Sequence, residues 1–354
     1  MSTSARGNSV SGAVENDSIT VDSTQEMNGD AVATTIMTLG GDTAGRLTTA
    51  TQAGGNYLAT SAYAADLRVD ASQLVTDGEV AANSTITDTS ARLLAGATVE
   101  ASAIGNTTAV YGEGSTVAGI ISQGSSATIR ASNLASPQYI PADAAFSSEA
   151  IANAVAVNSD AASNQSLYVR QRSTGDVIEA GTSANAGNAW DLAGRARASG
   201  NRAVFQNQGG ALIAETDQAN AAQVRATTIT TAYDYGAAEA SARAAGNEVS
   251  VGNNDVYVEI DNTQLNTGGV DATATFSGTN GYDVYVGADA VGNSVTGYAC
   301  SECAGYLTAT NVQTNNGSVT ATANTSVAGS SRAVITGTNA VGNAATFYVS
   351  RPGS

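Results

Sequence analysis

The chain has 354 residues, with 31 acidic against 14 basic and a formal net charge of −17; every basic residue is Arg, and Lys and His are absent. Phosphate binding needs a basic surface, so this balance excludes nucleic acid as an expected partner. The missing His and Lys exclude a Ser-His-Asp triad, an imidazole metal site, a Schiff-base lysine and a P-loop. Four Phe and one Trp are too few bulky side chains to fill one compact body of this length at crystal-like density.

The N-terminal MSTSARGN has no apolar h-region and does not read as a signal peptide; we expect it to be the mature end of an exported chain. No apolar run approaches the roughly 20 residues of a membrane-spanning helix. From Asn8 onward one phrase recurs: ARGNSVSG, QAGGNYLAT, SAIGNTTAV, EAIANAVAV, RASGNRAVF, RAAGNEVSV, DAVGNSVTG and NAVGNAATF. Its Asn falls at Asn8, Asn56, Asn106, Asn153, Asn201, Asn247, Asn293 and Asn343, in steps of 46–50 residues. A second column, Gln25, Gln73, Gln123, Gln171, Gln218, Gln264 and Gln313, keeps the same period. Such self-similarity marks a repeat architecture.

Each unit reads as four short strands with Gly, Asn and Asp at the turns. In the first unit these are SVSGAV, DSITVDSTQ, GDAVATTI and GRLTTATQAGGN. In the third unit Pro137 and Pro141 disturb the fourth strand and predict a loop leaving the stack. EAIANAVAVNSDAASNQ and AAEASARAAG are locally helix-compatible, but their place in the repeat assigns them to strands. The seventh unit lengthens its Asn-to-Gln offset to 20 residues around Cys300 and Cys303, which predicts a small loop pinned by a local disulfide. The expected fold is an all-β β-solenoid of about seven repeats of 48 residues, each wound as two coils of about 24. It would form one elongated domain over 1–354, with repeats starting near 8, 56, 106, 153, 201, 247 and 293 and a partial eighth from 343. The Asn column fits turns that tolerate positive φ, or an inward amide ladder; the ladder leads for Gln.

No residue cluster carries catalysis, and we expect no enzyme. The acidic pairs Glu259 with Asp261 and Asp234 with Glu239 read as solvated charge, and Trp190 has no partner visible in the sequence. GGDTAG and GNNDVYVEIDN echo calcium loops without recurring in register, which leaves room only for weak surface calcium and for no cofactor or structural metal. Tyr233, Tyr235, Tyr282 and Tyr285 form two close pairs suited to recognition. The repeat runs to both ends without an evident cap, and the strand at Phe347, Tyr348 and Val349 is expected to pair across a junction with another copy or a related subunit.

QAGGNYLAT, and more loosely RASGNRAVFQNQGG, resembles the curlin repeat, and the 48-residue unit equals about two curlin-length coils. With its acidic, Ala/Thr/Asn-rich composition, the chain also resembles the holdfast attachment protein D family of stalked alphaproteobacteria. That resemblance implies a surface role in fastening adhesive polysaccharide to the outer membrane; joined to the uncapped ends, it gives the expected function of an extracellular or outer-surface adhesin or anchor subunit, amyloid-like and filament-forming, that self-associates end to end. Its implied partners are outer-membrane secretion or anchor proteins. A phage-tail or secreted β-helix that binds or cleaves polysaccharide, and an ice-binding solenoid suggested by TTITT and TATAN, are the alternatives.

Overall fold

A computed structural model describes residues 1–87, 89–255, 257–300 and 305–349. Its secondary structure is entirely β, numbered here in chain order. Strands that run through the ladder Asn are β1 (Ser2–Glu15), β4 (Leu47–Tyr63), β7 (Ala97–Glu113), β10 (Tyr139–Ser159), β12 (Val177–Asn207), β14 (Gln223–Asn253), β16 (Val270–Ala299) and β19 (Ala333–Val349). Strands bearing the Gln are β2 (Ser18–Asn28), β5 (Asp66–Thr76), β8 (Thr116–Ser125), β11 (Asn164–Ser173), β13 (Ala211–Asn220), β15 (Tyr257–Asn266) and β17 (Tyr306–Asn315). The remaining four are β3 (Ala31–Met37), β6 (Glu79–Ile86), β9 (Thr128–Ala135) and β18 (Val319–Val327).

These strands build two parallel sheets. One has 12 strands, with its main path β1-β4-β7-β10-β12-β14-β16-β18, and β3, β6, β9 and β19 joined beside it. The other has 7, in the order β17-β15-β13-β11-β8-β5-β2. The expected β-solenoid of two-coil repeats is therefore corrected. Strands pair with those a whole unit away, as in Asn153↔Asn201 and Gln171↔Gln218, and not with those half a unit away. Half-unit pairing would leave both columns out of line, because Gln follows Asn by 17–20 residues in units of 46–50; whole-unit pairing aligns identical amides. At ~4.8 Å per strand, the eight-strand path spans on the order of 35 Å, about half the height that narrow coils would give.

The expected division into four short strands also changes. The fourth strand of one unit runs through Gly-Asn into the first strand of the next, so the ladder Asn lie mid-strand. Among the described residues, the non-Gly residues with positive φ are Asn16, Ala64 and Asp77, none of them in the column. The residue before each Asn is skipped in the pairing, and backbones approach closely there: a Cβ on Gly246 would lie 2.5 Å from the Gly292 carbonyl oxygen. Pro141 lies inside β10, where a register shift between Ile140 and Asp143 absorbs it instead of a departing loop.

Inward positions alternate with outward ones, giving burial patterns such as eBeBiBeBiB in β11. The buried apolar residues form two separate groups. The larger lies between the Gln-bearing end of one sheet and the third and fourth strand segments, with Phe146, Ile178 and Phe276. The smaller lies between the segments before Gln and after Asn, with Leu58, Val169, Phe205 and Ile260.

The amide columns stand between these two lobes. Each Asn from Asn8 to Asn293 donates through Nδ2 to Oδ1 of the next Asn at 2.7–2.9 Å. It also donates to the carbonyl of the residue after its own unit's Gln, at 2.7–3.0 Å. Each Gln from Gln73 to Gln313 donates through Nε2 to Oε1 of the preceding Gln at 2.7–2.8 Å. Every Gln of the column also donates to the carbonyl after the next unit's Asn, at 3.0–3.1 Å. The two sheets are thus stitched in both directions at every unit, and the buried amides of these two columns are satisfied.

Candidate functional site

Near the middle of the long strands of the larger sheet, pairing skips a residue. Trp190, Gly236 and Tyr282 occupy that skipped position in β12, β14 and β16. Released from the pleat, the Trp190 and Tyr282 rings project outward, 56% and 53% exposed. They meet edge to face with centroids 6.3 Å apart, across the intervening Gly236. A Cβ there would lie 2.5 Å from the Trp190 carbonyl oxygen and 3.0 Å from its ring, so glycine lets the aromatic pair close. The Arg332 guanidinium lies 5.6 Å from the Tyr282 ring centroid.

Tyr139, Pro141, Asp234 and this pair line a hollow of about 290 Å³. Beside it, on the following residues of the same strands, lies a larger cleft of about 700 Å³ with Asp191, Leu192, Glu239, Asp283 and Tyr285 on its walls. Asp143, at its rim, binds Arg46 at 2.8 Å; Glu239 accepts from Arg195 Nε at 2.8 Å, and Asp283 pairs with Arg332. The hydrogen bonds from Arg46 and Arg332 hold Asp143 and Asp283 below the usual carboxylate range, so both remain ionised at neutral pH. The result is a trough with exposed rings and charge-compensated walls, suited to a ligand with an apolar face and many hydroxyls.

The four Tyr singled out from sequence separate here. Tyr233, Tyr282 and Tyr285 are exposed, whereas Tyr235 is buried and packs edge to face on Phe276 at 5.1 Å. Glu259 accepts from the Tyr257 hydroxyl at 2.8 Å, and Asp261 is exposed on the same face of β15. Glu239, expected to be a solvated charge near Asp234, is ion-paired to Arg195 instead. Among the described residues no three His, Cys, Asp or Glu side chains cluster as metal ligands would. Cys300 is buried, and the expected bridge to Cys303 lies outside the described residues. Trp190 is the residue that sequence reading passed over. The signal was its place in the unit: Trp190 and Tyr282 each precede the next ladder Asn by 11 residues (201 − 190 and 293 − 282).

A second charge cluster lies nearer the ladder. Glu248, only 8% exposed, accepts from Arg197 at 2.9 Å and from Arg243 at 2.6 Å. Burial opposes its ionisation, but the two guanidiniums outweigh burial and the net shift is downward. Glu248 therefore ionises more readily folded than unfolded. The stability it adds is complete above its ordinary value of 4.5 and is lost as pH falls through the lower folded value. Both Arg are partly solvated, so we expect Glu248→Gln to cost about 1–2 kcal/mol at neutral pH. In urea titrations the gap between wild type and variant should narrow as pH falls below 4.5 and close beneath the lower folded value; a gap independent of pH would remove the carboxylate from the account.

At the two ends of the stack, the outer edges of β1, β2 and β3 and of β17, β18 and β19 pair with no strand among the described residues. Phe347, Tyr348 and Val349 belong to such an edge; their inner side pairs with Gly297, Tyr298 and Ala299, and Tyr348 stacks on Tyr298 at 5.9 Å. No helix of the described residues is long and apolar enough to cross a membrane.

No curated protein and no solved structure matches the chain. The family model of holdfast attachment protein D matches residues 1–269, most of the 354, and the chain therefore belongs to that family of holdfast-related surface proteins.

Proposed function

We propose that this chain is a non-catalytic anchor subunit on the outer cell surface, which associates end to end and tethers an adhesive polysaccharide to the envelope. The observation that carries the reading is the Trp190–Tyr282 pair, held open on a stitched double sheet beside a cleft of about 700 Å³. Sugar rings lay their apolar C–H faces on such aromatics, while their hydroxyls bond neighbouring carboxylates. A tether also has to bear load, and main-chain bonds running through every unit along both sheets supply stiffness along the stack. The open edges at its two ends support association with further copies, and outer-membrane secretion or anchor proteins are the partners proposed for docking.

Retention of the purified chain on holdfast polysaccharide tests the tether. Trp190→Ala is expected to weaken binding about tenfold, equivalent to ~1.4 kcal/mol, with unchanged thermal stability because the ring is exposed. Tyr282→Ala should act in the same direction, whereas Tyr63→Ala, exposed elsewhere on the stack, should have no effect. Equal retention of all three variants and wild type would overturn the cleft's role.

A further inference from the structure

The two amide columns point in opposite directions. Asn side chains donate toward the C-terminal end, as Asn247 does to Asn293, and Gln side chains donate toward the N-terminal end, as Gln264 does to Gln218. Neither direction can reverse locally. Each amide nitrogen also donates to a backbone carbonyl, so flipping one amide would set oxygen against oxygen.

This polarity leaves a different set of free groups at each end. At the N-terminal end, Asn8 spends both N–H groups on Glu26 and Asn56, leaving Oδ1 as an open acceptor. Gln25 uses one N–H on Tyr57 and accepts from Gln73, leaving its second N–H as an open donor. At the C-terminal end, Asn343 accepts from Asn293 and its Nδ2 has no partner among the described residues. Among the described residues, Gln313 Oε1 accepts only a 3.3 Å contact from Asn311 and keeps a lone pair. Donor faces acceptor in both columns only when the C-terminal end of one copy meets the N-terminal end of another.

We propose that copies of this chain join head to tail in a single register, with Asn343 donating to Asn8 of the next copy and Gln25 of that copy donating to Gln313. The inference rests on the self-association reading and specifies its geometry. The register would set β19 on β1, β17 on β2 and β18 on β3, extending both sheets with their strands still parallel. Phe347, which covers Gly297, would then lie opposite Gly12 of the next copy, a second glycine that leaves room for the ring. The half-buried core residues Val14, Ile19 and Val21 at one end would meet Leu307 and Ala309 of the same lobe at the other. Charge agrees: β17, β18 and β19 carry no charged residue, whereas β1 and β2 carry Glu15, Asp22 and Glu26 against the single Arg6, a net negative end. Joining like ends would require a two-fold axis across the stack, which makes facing strands antiparallel whichever way it lies.

Two isosteric variants test this. Asn343→Asp still accepts from Asn293 and loses only the outward donor, whereas Gln25→Glu still accepts from Gln73 but loses both its outward donor and its bond to the Tyr57 carbonyl, which makes Asn343→Asp the cleaner of the two. Sedimentation velocity over a concentration series should show wild type growing into extended oligomers and each variant alone remaining monomeric. An equimolar mixture of the two should give dimers and nothing larger, because only the intact head of Asn343→Asp and the intact tail of Gln25→Glu can join. Repeating the series at about 1 M NaCl removes simple charge repulsion, and the block should persist. If wild type associates but the variants associate equally well, the register is wrong while self-association stands. A strictly monomeric wild type overturns both, leaving polysaccharide retention as a separate question.

Discussion

Asn153→Leu is expected to lower the unfolding free energy by roughly 3–5 kcal/mol, enough to remove much of the stability of an ordinary domain. Asn153 is fully buried, accepts from Asn106, and donates to Asn201 and to the Arg172 carbonyl. Leu has nearly the same shape but makes none of these bonds. An Asn106 N–H, the Asn201 Oδ1 and a backbone carbonyl would lose partners in a space too tight for water, at about 1–3 kcal/mol each, partly offset by the added apolar surface. Asn343→Leu removes only an accepted bond at the end of the column and should cost less than half as much. Urea denaturation of the two variants measures the contrast. Equal and small losses would falsify the view that the amide columns tie the sheets together.

Phe205→Ala should cost about 3–5 kcal/mol, the second large effect. Phe205 is fully buried in the smaller lobe, and its strand neighbours at the same position are Val157 and Val251. Collapse onto the vacated volume is restricted, because strand separation is set by main-chain pairing and by the amide columns and cannot shrink locally. The cavity therefore stays open. Phe205→Leu, which keeps most of the volume, should stay within about 1.5 kcal/mol of wild type. Thermal and urea unfolding of both variants read this difference; an Ala variant as stable as the Leu variant would show that the lobe refills.

How far the amino-acid sequence speaks for itself differs between the elements. Asn and Gln recurring at 46–50 residues announce a repeating stack, because like amides profit from alignment, and alternation such as QSLYVRQ announces strands. Coil width was not legible. A column repeating once per unit is compatible with one wide turn or two narrow ones, and only pairing such as Gln171↔Gln218 distinguishes them. Turn chemistry also misleads at Gly-Asn: the pair suggests a turn, but here glycine admits a close backbone approach in mid-strand while Asn reaches inward.

The candidate site was less legible still. Trp190 and Tyr282 are separated by two units, and no local pattern joins them. Stacking brings them together because Gly236, in the unit between, has no side chain to hold them apart. By composition and spacing alone, the sequence determined that this is a repetitive, acidic, all-β chain with two amide columns, since period and residue type survive without coordinates. The tertiary structure alone decided the width of the stack, the opposed directions of the two columns and the meeting of the aromatic pair. Each depends on which backbone lies beside which, a relation among residues nearly 50 or more positions apart that no local propensity encodes.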